Sequence, residues 1–168
     1  MDEKEFWRAV RDVVRSEEYR KMRSYRHHIK GSVYDHSIKT AWLCWQHHRR
    51  FGTKIDLDSF VRGALLHDYY LYDWHDFPHR RHRLSHGFTH PARALQNASE
   101  KYPDLTPMER DMILRHMFPL TPIPPRTKAG WLLCFYDKIA AVSDYFGENH
   151  WKTPPKRKKI RITRRRSH

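Results

Sequence analysis

The pair His67-Asp68 closes an apolar run at residues 60–66, so any fold that buries this run also takes a charge into its interior. A buried carboxylate is costly unless a cation, a metal or a hydrogen-bonded partner compensates it. The problem recurs elsewhere in the chain: His36, His90, His116 and Asp137 each stand within or beside an apolar segment. Imidazole and carboxylate are the ligand types that hold borderline and hard divalent ions. Six such residues, each on its own candidate helix or helix end, read as a metal site with two ions.

The spacing of apolar residues is helical nearly throughout. Phe6, Val10, Val13 and Val14 mark a first stripe. A second segment, residues 35–51, places His36, Thr40, Leu43 and His47 on one side. A third starts at Asp58 as N-cap and ends at the His67-Asp68 pair. Thr106-Pro107-Met108-Glu109 has the form of a capping box with proline at the first helical position, predicting a helix that runs to His116. Prolines 119, 122, 124 and 125 stop it, and a last helix over 129–147 brings Leu133, Asp137, Ala140 and Asp144 to one face. No strand alternation is visible, so the expected fold is an all-α, single-domain helical bundle of about six helices. Residues 69–89, polar, aromatic and rich in histidine, read as a long loop lying over the site.

A formal charge of +14 is spread unevenly. Residues 152–168 hold four Lys and five Arg with no acid, leaving +5 for the rest. The chain therefore divides into a domain at 1–151 and a basic, disordered tail at 152–168 that attracts nucleic acid non-specifically. No apolar run is long enough to cross a bilayer and no secretory signal is present, so no membrane role and a cytoplasmic location are expected. Cys44 and Cys134 sit in apolar segments as reduced core thiols.

The order His36, His67-Asp68, His90, His116, Asp137 resembles the HD superfamily of metal-dependent phosphohydrolases, and the match spans roughly residues 25–147. The contexts that carry it are Tyr34-Asp35-His36-Ser37, Ala64-Leu65-Leu66-His67-Asp68, Ile113-Leu114-Arg115-His116 and Tyr136-Asp137-Lys138-Ile139. His36, His67, Asp68 and Asp137 match the members shared by the superfamily; His90 and His116 match the extra pair of its two-metal branches. Within those, the layout is most similar to small bacterial hydrolases that cut dinucleoside tetraphosphates symmetrically. The branch that opens cyclic dinucleotides carries a Gly-Tyr-Pro signature where this chain reads His86-Gly87-Phe88-Thr89-His90-Pro91. His90 is preferred to His86 on the family's register, which wants a small residue four positions on, met by Ala94. Asp137 competes with Asp144 on the same helical face, and the neighbouring Lys138 favours Asp137.

The resemblance implies that Asp68 bridges two ions, iron or manganese. His36, His67 and Asp137 complete one, and His90 and His116 the other. Asp68 and His67 are then the catalytic residues, and a metal-bridging hydroxide attacks a phosphoester or phosphoanhydride, that of a nucleotide or dinucleoside polyphosphate. Arg80, Arg81 and Arg83, with Arg93 and Lys128, are the candidates for holding phosphate. Lys39 and Lys138 lie close to ligands in sequence, and Tyr69, Tyr70, Tyr72 and Trp74 offer faces for a base. His27-His28 and His47-His48 read as surface groups or groups behind the ligands. Two alternatives stay open: a one-metal nucleotidase without His90 and His116, and a nucleic-acid-binding protein working through its tail.

Overall fold

Local capping and one apolar stripe per helix account for most of the architecture. The computed structural model describes residues 3–27, 31–76 and 80–146, with only the backbone described at 80–84 and 145–146. Eight α-helices and one 3-10 turn appear in these residues, in the order α1 (Glu3–Ala9), α2 (Arg11–Arg15), α3 (Glu17–Lys21), α4 (Val33–Phe51), α5 (Leu57–Leu66), the turn Trp74–Asp76, α6 (Arg80–Lys101), α7 (Pro107–Arg115) and α8 (Lys128–Phe146). There is no β-strand among them, and the all-α expectation holds.

α4 packs on α5, α5 on α7, α7 on α8 and α8 back on α4, a closed ring of four helices; α6 lies against α7. The N-terminal stripe is real but is divided between two short helices, Phe6 on α1 and Val13 and Val14 on α2 with Val10 between them, and a third short helix follows. Ser16 turns extended (ψ 146°), and its Oγ accepts from Tyr19 N, so it ends one helix and caps the next. Phe6 nevertheless packs edge-on against Trp42 of α4, with centroids 5.0 Å apart.

Ser32 caps α4 by accepting from Asp35 N, and Gly52 closes it in the left-handed region at φ +56°. The N-cap of α5 is Asp56, not Asp58: the Asp56 carboxylate accepts from Ser59 N at 2.9 Å. The capping box at Thr106 and Glu109 is present in full, and its helix stops at Arg115 with His116 as C-cap.

The loop expected over 69–89 is shorter than its composition suggested. α6 begins at Arg80 and continues through Pro91 to Lys101. Its inner face near the start carries His86 and His90, rings stacked at 4.6 Å, where most helices would carry aliphatic side chains. No described helix is long and apolar enough to cross a membrane.

Candidate metal centre

Two helices end at the centre in the same manner. The last carbonyls of a helix lack intrahelical partners. At the end of α5 the Nδ1 of His67 faces Ala64 O at 2.7 Å, and at the end of α7 the Nδ1 of His116 faces Ile113 O at 2.8 Å. His90, within α6, places Nδ1 2.9 Å from His86 O. A carbonyl only accepts, so each Nδ1 is the donor and each neutral ring presents a bare Nε2 lone pair to the interior. Histidines that bind metals are commonly fixed in this way.

Those lone pairs converge on Asp68. Its Oδ1 is 3.1 Å from His90 Nε2 and 3.5 Å from His116 Nε2. Its Oδ2 is 3.6 Å from His67 Nε2. Asp137, from the middle of α8, places Oδ1 2.9 Å from His36 Nε2 and 3.3 Å from His67 Nε2. All six residues are buried, His67 completely. The six expected ligands thus come together from α4, α5, α6, α7 and α8. Each carboxylate oxygen of Asp68 faces a different set of imidazoles.

These separations match a coordination shell. Two bonds of about 2.0–2.3 Å meeting at a tetrahedral or octahedral angle put their donor atoms roughly 3 Å apart. His67 Nε2 and Asp68 Oδ1 are buried with no hydrogen-bond partner among the described residues, although each has an ionisable neighbour within 3.1–3.6 Å. His90 Nε2 and His116 Nε2 lie 2.9 Å apart, and with both Nδ1 atoms donating to carbonyls, two lone pairs face each other. Only a proton or a cation between them removes that repulsion. The cluster can hold a metal ion, and its donor set fits one.

His36 differs from the other three rings. Its Nε2 faces Asp137 and its Nδ1 faces Asp144 Oδ2 at 3.0 Å, so both nitrogens meet acceptors. Burial pulls its pKa down, but the two carboxylates outweigh burial and push it up to about 10. Burial raises Asp68 and Asp137, yet the surrounding histidines hold both well below the usual carboxylate range. Burial keeps His116 below the ordinary imidazole value despite Asp68. Asp144 also takes Lys39 Nζ as a partner, which secures it behind His36. It holds the back of the ring while Asp137 takes the ligand side.

Above the carboxylates opens a cavity of about 970 Å³, lined by Asp68 and Asp137 at its base and by Tyr70, Trp74, Met117 and Leu120 on its walls. Lys138 also lines it, its Nζ donating to His116 O at 3.1 Å and Cys134 O at 3.2 Å. Of the phosphate-holding candidates, Arg93 lines a neighbouring depression beside Tyr72 and Thr89, and Lys128 another beside His47 and Phe51; neither lines the cavity over Asp68. The side chains of Arg80, Arg81 and Arg83 lie outside the described residues, as does the tail at 152–168. Tyr69 turns away from the site and stacks with Tyr19.

His27 reads in the sequence as a surface group or a group behind the ligands, and the structure places it at the site. It is buried, lines the cavity, and has Nε2 3.7 Å from Asp68 Oδ2. Its neighbour His28 lies outside the described residues. The only sequence signal was a histidine close before a ligand-bearing helix.

No family model, curated protein or solved structure matches this chain. The cluster itself is compatible with an HD-type site, and it is the cluster that speaks to function.

Proposed function

We propose that the protein is a two-metal HD-type phosphohydrolase acting on a small phosphorylated substrate, of the nucleotide class. The observation that supports this reading is the division of Asp68. One oxygen faces His90 and His116, the other faces His67, and a single carboxylate so placed can serve two ions. His36, His67, Asp68 and Asp137 would hold one ion, and Asp68, His90 and His116 the other. Iron or manganese suits this mixed nitrogen and oxygen set. When bound, such a pair supplies an activated water and Lewis acidity toward phosphoryl oxygens.

The remaining work falls to the chain's own side chains. The carbonyls of Ala64, His86 and Ile113 hold the proton on Nδ1 of three rings and so keep every Nε2 facing inward. Asp144 holds His36 by Nδ1. Lys138 places a cation at the cavity wall, anchored by two backbone carbonyls, where a phosphoryl oxygen can meet it. Tyr70 and Trp74 with Met117 and Leu120 form an apolar wall that excludes water and accepts a flat, base-sized group.

The test is release of phosphate from nucleoside monophosphates, and of the shorter nucleotides from dinucleoside polyphosphates, by protein loaded anaerobically with Fe²⁺ or with Mn²⁺, beside the Asp68→Ala variant. Release by the loaded protein, lost in the variant, is expected. A loaded protein that releases neither phosphate nor a shorter nucleotide from any of them refutes the reading.

A further inference from the structure

The hairpin before α4 brings a seventh imidazole to the centre. Arg26 and Ser32 form an isolated antiparallel bridge, and Gly31 at φ +89° makes the left-handed turn that the return requires. His27 N donates to Gly31 O at 3.2 Å and Val33 N to Tyr25 O at 3.0 Å, so the backbone at Tyr25 and at His27 is tied to the segment that enters α4. Arg26 adds a tether, its backbone N–H donating to Asp73 Oδ2 at 3.3 Å.

Held in this way, the His27 ring lies parallel to that of His36, with centroids 3.8 Å apart and planes 17° apart. Its Nε2 is 3.7 Å from Asp68 Oδ2, the oxygen that also faces His67. One donor atom from each of His27, His36 and Asp68 lies within 4.8 Å of the others, as do those of His36, His67 and Asp137. The two triads share His36. A surface histidine has no reason to be buried against the ring of one ligand with its nitrogen aimed at the oxygen of another.

We propose that His27 is a direct ligand of the ion held by His36, His67, Asp68 and Asp137. It would approach from the cavity side, since His27 is the one described residue of the hairpin that lines the cavity. This rests on the metal reading above and adds to it. The ion on the Asp137 side carries three imidazoles and meets the substrate past His27, whereas the ion on the His90 side carries two. The pair is thereby unequal, and the more open ion is the one nearer His90 and His116.

The experiment is a titration of the metal-free full chain with Co²⁺ alone, read by its visible absorption, for wild type, His27→Gln and His27→Cys. Wild type is expected to take up Co²⁺, and His27→Gln to bind one equivalent at least about 100-fold more weakly, the upper range seen when even a supporting residue of a metal site is lost. In His27→Cys, a thiolate-to-cobalt charge-transfer band absent from wild type is expected, which no general loosening of the hairpin would produce. Wild-type uptake with unchanged His27→Gln affinity and no new band in His27→Cys overturns the ligand role of His27 alone. No Co²⁺ uptake by wild type overturns the metal reading and this inference with it.

Discussion

α5 and α7 bury charge at two places along their contact, and the two solutions differ. Five residues before the His67 end, Arg62 meets Glu109 of α7, with Nε 2.6 Å from Oε1 and Nη2 3.0 Å from Oε2. Glu109 is completely buried, yet its Oε2 also accepts from Thr106 N and Oγ1, while Arg62 extends to Asp104. That network is closed: the protein supplies cation, anion and hydrogen bonds together. At the other end, where His67 and His116 cap the same two helices, the protein supplies a cation to Asp137 in protonated His36, but the Nε2 lone pairs of His90 and His116 face each other beside Asp68 with room for a cation from elsewhere. Burial of charge alone therefore does not identify a metal centre. Donors in excess of protons do.

Adding metal separates the two regions most sharply. Mn²⁺ at about 1,000 times its Kd should raise the unfolding free energy of wild type by about 4 kcal/mol, and that of Asp68→Ala hardly at all, in denaturant titrations with and without the ion. Glu109→Ala should break the closed network instead. It leaves a partly buried Arg62 without its main partner and removes the capping box, for a loss of about 3 kcal/mol that is the same with or without metal. A loss that depended on metal would mean that the two ends of the α5–α7 contact are not separate.

Asp144→Asn tests the support behind His36. It should weaken metal binding about 10- to 100-fold, measured by competition with a chelating dye, while leaving the Glu109 network's stability unaltered. Per pH unit, the smallest effect is that of pH. With its pKa near 10, metal-free His36 is protonated at neutral pH, and an ion must displace the proton on Nε2. Apparent affinity should thus rise as pH rises, by up to about tenfold per unit for this one proton between pH 6 and 8. Without metal the sign reverses. The raised pKa gives His36 a stabilising contribution that is complete below about pH 6.5 and disappears as pH climbs toward 10. An affinity flat across that range would place the proton elsewhere.

The helices that the sequence made legible are those with local punctuation. α7 had its capping box and a proline at N1, α4 a stripe of uniform period, and α8 a proline-rich segment before it. The start of α6 was hidden because His86 and His90 occupy its inner face, and histidine counts as polar in any apolar pattern. The candidate ligands were legible because each stands out against apolar neighbours. His27 could not be found that way: its place depends on a hairpin closed by Gly31 and on a tether from Arg26 to Asp73, 47 positions away. Arg93 and Lys128 stand out by proximity in sequence and by sign of charge, and those signals carry no information on which depression a side chain lines.

That α5 and α7 both end at the centre has an electrostatic consequence. The C-terminal end of a helix carries roughly half a negative charge from its aligned peptide dipoles. Two such ends point at the same small volume as Asp68 and Asp137, so at the base of the cavity they add to the pull on cations and the repulsion of anions that the carboxylates exert, against the opposite charges of His36 and Lys138. A phosphorylated ligand entering the bare protein meets this field with the wrong sign. Association should therefore be ordered, the ions first and the anion second, with the helix ends enforcing the sequence of events.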